Sequence, residues 1–148
     1  MFYIDKLLQN DILICSFLAW IIAQIIKFII HYIGNKQFDM ERLLGSGGMP
    51  SSHSATFTAL TLTCGYYHGF DSTPFAIATL LALVVIYDAC GVRRAAGQHA
   101  EALNDLHELF KENISAEKQF KILIGHTPFQ VLMGIILGII ITAIYCGI

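Results

Sequence analysis

Charge is scarce in this chain. Asp, Glu, Lys and Arg make up 14% of its 148 residues, against about 25% in an average soluble domain. With 55% of the residues hydrophobic, that scarcity excludes a disordered chain and a coiled coil, and it argues against a soluble globular domain. An excess of cations is lacking too. Nine Lys and Arg against eleven Asp and Glu give a formal net charge of −2, so no basic surface is offered to nucleic acid. The four cysteines, Cys15, Cys64, Cys90 and Cys146, contain no C-x-x-C pair. Neither a zinc site nor a disulfide framework is therefore indicated, and they read as small buried hydrophobes. The first ten residues have no basic n-region, and the apolar run that follows is too long for a signal-peptide core and lacks a small-x-small cleavage site. It reads as a retained membrane helix. Internal repeats and low-complexity tracts are also missing.

Long apolar runs are what the sequence does contain. Residues 11–33 form the first, about long enough to cross ~30 Å of hydrocarbon at 1.5 Å per residue. Gln24, Lys27 and His31 interrupt it on one helix face. A polar connection ending in Gly45-Ser-Gly-Gly-Met-Pro50 leads to a second helix, from near Ser51 to about Tyr67. Its four threonines suit a helix packed against others in lipid. Residues 73–90 form a third apolar run, and residues from about 129 to 148 a fourth, with Gly134-x-x-x-Gly138 at a common helix-packing spacing. Between them, residues 91 to about 119 place Ala102, Leu103, Leu106, Leu109 and Phe110 at helical spacing among charges, the pattern of an amphipathic helix at the membrane surface. The expectation is an all-α polytopic bundle of about four transmembrane helices and one interfacial helix, with residues 1–148 as a single integral membrane domain.

An up-and-down path through four spans brings the end of span 1, the start of span 2, the end of span 3 and the start of span 4 to one membrane face. The suggestive residues gather at those four places: Lys27 and Arg42, Pro50-Ser51-Ser52-His53, Asp88 with Arg93 and Arg94, and Gly125-His126. The loops on that face also hold most of the remaining lysines, which orients it towards the cytoplasm, with the cell membrane as the expected location. Each group suits an anion. Glycines allow close backbone approach, and a serine-capped helix start presents N–H groups to negative charge. Arginine matches phosphate with two parallel hydrogen bonds, and Lys27 inside a span is costly unless it faces a polar cavity or an anion. Asp88, at the end of an apolar run, is a functional candidate or an ion-pair partner for an arginine. Two histidines, several cations and no carboxylate cluster point to phosphate chemistry without a metal or cofactor.

Taken together, Pro50-Ser-Ser-His-Ser-Ala55, Tyr87-Asp-Ala-Cys-Gly-Val-Arg-Arg-Ala-Ala-Gly-Gln-His99 and Gly125-His-Thr-Pro-Phe-Gln130 resemble the divergent branch of the phosphatidic acid phosphatase type 2 and vanadium haloperoxidase superfamily. The resemblance runs from about Ala23 to Gly138. It implies a helical protein that cleaves phosphomonoesters or pyrophosphates, often of lipids, through a phosphohistidine. Pro50-Ser51-Ser52-His53 matches the superfamily's Pro-Ser-Gly-His motif, which makes His53 the general acid. Arg42 matches the arginine of the first motif, with Leu43 in place of the proline, and its companion lysine is Lys27 or Lys36. The nucleophile is His126, or else His99, which keeps the literal spacing of five residues after Arg93. The aspartate expected near the nucleophile is missing: Gln130 stands four residues after His126, and Asp88 is the carboxylate that could orient the imidazole instead. Lys27, Arg42, Ser51, Ser52, Arg93 and Arg94 are the candidate phosphate ligands. The expected substrate is a phosphorylated lipid or prenyl compound. The alternative is a non-catalytic membrane protein that binds or transports one. Four spans are fewer than the six typical of the superfamily's membrane phosphatases, so a homodimer joined through Gly134 and Gly138 is a further expectation.

Overall fold

The computed structural model of the protein describes residues 2–35, 48–109 and 125–148. These residues form helices and contain no strand: α1 (Phe2–Leu7), α2 (Asp11–Asn35), α3 (Ser52–His68), α4 (Thr73–Cys90), α5 (Val92–Leu109) and α6 (Pro128–Cys146). The helix starts follow from local chemistry. Ser51, Ser72 and Thr127 each accept a hydrogen bond from a first-turn amide of α3, α4 and α6, and proline stands in the first turn of α4 and of α6. Gly147, in the left-handed conformation, ends α6, and its N–H donates to the Ala143 carbonyl.

The packing is inverted relative to a soluble protein. Large apolar side chains face outward, as Val84 (66% exposed) and Ile144 (76%) show. Small residues line the inside. On α2 the buried stripe is Cys15, Ala19, Ala23 and Lys27; on α3 it is Ser51, Ala55, Ala59 and Thr63; on α6 it is Gly134, Gly138 and Thr142. Each stripe repeats every four residues, the spacing that keeps side chains on one helix face. In lipid no hydrophobic drive pulls helices together, so association depends on close backbone approach through small residues. The hydroxyls inside are satisfied locally: Thr63 donates to the Ala59 carbonyl (2.6 Å) and Thr142 to the Gly138 carbonyl (2.9 Å).

Helix α3 is the hub, in contact with α2, α4 and α6. Of the four expected spans, three are supported by length and composition. Among the described residues, three stretches are long and apolar enough to cross a membrane: Asp11–Gly34, Thr73–Leu106 and Pro128–Cys146. Helix α3 is not among them: it has 17 residues and is rich in Ser and Thr, and most of it is buried or half-buried among its neighbours. The amphipathic expectation falls on α5, whose Leu103 and Leu106 are exposed; Phe110 and the remainder of that segment lie outside the described residues.

Gly134 and Gly138 do their packing within the chain. A Cβ at Gly134 would run into the Ser51 carbonyl, and one at Gly138 would stand 2.6 Å from the Ala55 carbonyl. That stripe is covered by α3, so the expected homodimer contact through it is replaced by an intramolecular one. A Gly138→Ala variant should lose about 1–3 kcal/mol of stability through overpacking against a backbone that cannot yield cheaply. Gly34, with nothing within 4 Å of an added Cβ, is the matched control, and Gly34→Ala should be neutral or stabilising by up to about 1 kcal/mol. Unfolding of both variants in detergent, followed by helical circular dichroism, checks this; equal midpoints would reject the glycine contact.

Candidate functional site

Hydrogen bonds join the four helix ends that topology was expected to bring together. The Lys27 Nζ on α2 donates to Ser52 Oγ at the start of α3 (3.5 Å). The Ser51 N–H donates to the Gln130 carbonyl in the first turn of α6 (3.0 Å), and the His126 N–H donates to the Ala89 carbonyl in the last turn of α4 (3.1 Å).

Lys27 is 4% exposed. Its stem lies against Gly48, with Cγ 3.1 Å from where a Cβ would stand, so a side chain at 48 would compete with the lysine for space. Gly48 also has φ +84, a conformation that favours glycine. The partner of the ammonium among the described residues is a neutral hydroxyl. A buried cation without counter-charge is costly, and an anion at this place would offset that cost. One turn earlier on the same helix, Gln24 is 8% exposed and its Oε1 has no hydrogen-bond partner among the described residues. The sequence showed Gln24 sharing a face with Lys27, but not that its carbonyl would be buried beside it.

The start of α3 divides its serines between two tasks. Ser51 is fully buried, and its hydroxyl oxygen accepts from the Ser54 N–H (3.3 Å) and from the Ser54 hydroxyl (2.9 Å). It is the cap of the helix. Ser52, also buried, turns its hydroxyl to Lys27. His53 follows in the first turn, half-buried. The first-turn amides of a helix lack carbonyl partners within it and carry the positive end of the dipole.

His126 is 2% exposed. It is held at two points: its main-chain N–H on Ala89 and its Nδ1, 3.3 Å from Gln130 Oε1. The same Oε1 accepts from the Thr127 N–H (3.1 Å), while the Thr127 hydroxyl accepts from the Gln130 N–H (3.3 Å). This reciprocal capping box starts α6. Gln130 is the residue that sequence reasoning passed over, having marked it only as the place of a missing aspartate. The available signal was the spacing Thr127-x-x-Gln130 at a helix start.

The remaining candidates divide by position. Asp88 is half-buried, next to the Ala89 that holds His126. Arg93 and Arg94 lie in the first turn of α5, beyond Gly91. His99 is exposed further along α5. Arg42 and Lys36 lie outside the described residues.

Comparison with known proteins follows the same lines. A family model described as the Divergent PAP2 family matches residues 8–141. The chain is 38% identical over 151 residues to an uncharacterized membrane protein, YuiD, of Bacillus subtilis (strain 168), covering 94% of this chain and 96% of the relative. No solved structure matches at a significant level.

The geometry makes Ser51 a structural element of the site. Ser51→Ala removes a helix cap, typically about 1 kcal/mol, and leaves the buried Ser54 hydroxyl without an acceptor, a further ~1–3 kcal/mol. Detergent unfolding should show a loss of about 2 kcal/mol or more. A change under about 0.5 kcal/mol, the usual scatter of neutral substitutions, would exclude the capping role.

Proposed function

The chain belongs to the divergent PAP2 family, and on that premise we propose that it is a membrane phosphohydrolase acting on a lipid or prenyl phosphate or pyrophosphate. The observation that carries this reading is the Lys27 ammonium, buried against the start of α3, whose partner among the described residues is a neutral hydroxyl. An anionic group is the ligand that such a site recognises.

The reaction proceeds by two in-line displacements. Neutral His126 attacks phosphorus through Nε2; the P–N bond forms as the bond to the leaving oxygen breaks. Protonated His53 gives its proton to that oxygen. Water then attacks the phosphohistidine, His53 takes the proton from the water, and phosphate leaves with both histidines restored. Lys27, Ser52 and the first-turn amides of α3, joined by Arg42 and by Arg93 or Arg94, hold the phosphate oxygens and stabilise the charge of the transition state. Ser51 shapes the turn that presents them. Asp88 supplies negative charge near the arginines or the imidazole.

The substrate class follows from position. Helix α3 completes a bundle of four crossing helices, its ~25 Å length at 1.5 Å per residue sheltered from lipid by its neighbours. Helix α5 lies on the membrane surface, with Leu103 and Leu106 towards lipid. The site then lies near the interface, where the phosphate of an amphiphile sits, and the Lys and Arg bias supports a cytoplasmic face at the cell membrane. Neutral Gln130 in place of the expected aspartate favours a second reading, binding or transport of a phosphorylated lipid without turnover.

Phosphate release by the detergent-purified protein from a panel of lipid and prenyl phosphates, with and without EDTA, decides between them. Hydrolysis should persist in EDTA and be inhibited by vanadate. It should fall about 10²–10⁴-fold in His53→Ala, the range for general acid–base catalysis, and below detection in His126→Ala. Loss in His53→Ala and His99→Ala, with His126→Ala active, would move the nucleophile to His99. Saturable binding with no release by wild type would replace the hydrolase with the binding protein.

A further inference from the structure

Two contacts of one atom bear on a question of protonation. Gln130 Oε1 lies 3.1 Å from the Thr127 N and 3.3 Å from His126 Nδ1. A backbone N–H can only donate, so the side-chain atom facing it is the carbonyl oxygen and not the amide nitrogen. That oxygen can only accept. For the contact on its other side to be a hydrogen bond, Nδ1 is the donor and carries the proton. In a neutral imidazole a proton on Nδ1 puts the lone pair on Nε2, since the hydrogen bond of one ring nitrogen sets the state of the other. The capping box thus fixes which way the amide points, and the amide fixes the histidine tautomer.

Gln130 does this from a rigid position. Its own carbonyl accepts the Ser51 N–H (3.0 Å), which ties it to the start of α3. The main chain of His126 is held by the bond from its N–H to the Ala89 carbonyl. One residue therefore aligns the His126 ring and, through its main chain, the helix that carries His53.

We propose that Gln130 is the positioning residue of the site, holding His126 as the Nδ1–H tautomer and aiming its Nε2 lone pair. Its side-chain carbonyl takes the orienting role for which the sequence offers no aspartate at this spacing. An amide orients without adding charge, so the ring keeps its direction while gaining none of the basicity that a carboxylate would lend. The chemical purpose of this arrangement rests on the hydrolase reading; the tautomer itself does not.

The test is nitrogen NMR of histidine-labelled, full-length protein in detergent micelles, at a pH well above the imidazole range of about 6.5. The His126 signal is assigned by its loss in His126→Ala. In wild type it should report protonated Nδ1 and unprotonated Nε2. Gln130→Met, close in size but with no acceptor, should shift the ring to the Nε2–H form or to a mixture. Gln130→Glu, which keeps an oxygen at both contacts, should restore Nδ1–H. Thr127→Ala breaks the other half of the capping box and leaves the imidazole contact alone, so it should keep the wild-type tautomer; a shift there would mean that helix fraying, and not Gln130, sets the ring. An Nε2–H wild type, or an unchanged Nδ1–H signal in Gln130→Met, overturns the proposal. If Gln130→Met does not fold, the wild-type, Thr127→Ala and Gln130→Glu spectra still decide it. Turnover measured on the same samples separates the two readings: hydrolysis should fall about tenfold or more in Gln130→Met, the scale of lost orienting partners, with vanadate inhibition retained. The Nδ1–H signature without hydrolysis of any substrate leaves the Gln130–His126 couple standing and removes the hydrolase.

Discussion

The hydrogen bond from the Ser51 N–H to the Gln130 carbonyl joins two helix starts side by side, and most of the site hangs on it. Such a bond requires the backbones of α3 and α6 to touch. They do so because position 134, one turn below Gln130, has no side chain to hold the Ser51 carbonyl away. Once the two starts are in register, the α3 cap, the α6 capping box and the His126 ring share one small volume. In a membrane this registration has special weight. Polar backbone at a helix end has no water to fall back on in hydrocarbon, so it must find protein partners or sit at the interface. Here the first turn of α6 satisfies the N–H at the start of α3.

Lys27 shows how the same economy of space raises electrostatic stakes. The four-residue stripe on α2 reads Cys15, Ala19, Ala23, Lys27, three small residues followed by a long cation. Gly48 supplies the room that its stem needs. A burial of this kind would be unfavourable for a charge left alone. The positive end of the α3 dipole and the Ser52 hydroxyl lie at the same place, the setting that the proposed function gives to an anion. The Gln24 carbonyl, one turn before Lys27, is buried on the same face and has no hydrogen-bond partner among the described residues.

Much of this was legible in the sequence, and the parts that were not share a cause. Helix bounds followed from apolar runs and cap residues: the expected Thr73–Cys90 helix is found with those ends, and Ser51 and Thr127 cap as their residue types suggest. The meeting of four helix ends followed from topology alone. What failed was partner choice. Gly134-x-x-x-Gly138 announces a close helix contact but cannot say with which helix, and the answer is α3 of the same chain rather than a second copy. Helix α3 looks like an ordinary span by its length and threonines, yet its low apolar content reflects neighbours on several sides. Gln130 was read against the aspartate of a motif. Its actual role depends on the direction of its amide, which is a property of the capping box and invisible in a list of residue types.

These features are one device rather than several. His126, Gln130, Gly134, Gly138 and Thr142 stand four residues apart, and so do Ser51, Ala55, Ala59 and Thr63 on the helix they face. Along each series the lower positions pack and the upper ones carry the candidate chemistry. The α2 stripe has the same order, with Cys15 against Thr142 at the bottom (3.9 Å) and Lys27 against Ser52 at the top. A helix is stiff along its axis, so close contact at the glycines fixes the height of everything above them. Sliding α6 along α3 by one residue would carry Gln130 about 1.5 Å along the axis, which lengthens and bends its bond with Ser51. The imidazole, bound to the Gln130 side chain, would move with it relative to His53. The smallest residues in the bundle therefore set the distance between its two most reactive candidates. Packing specificity and site geometry are, in this chain, the same physical constraint read at two heights of one helix pair.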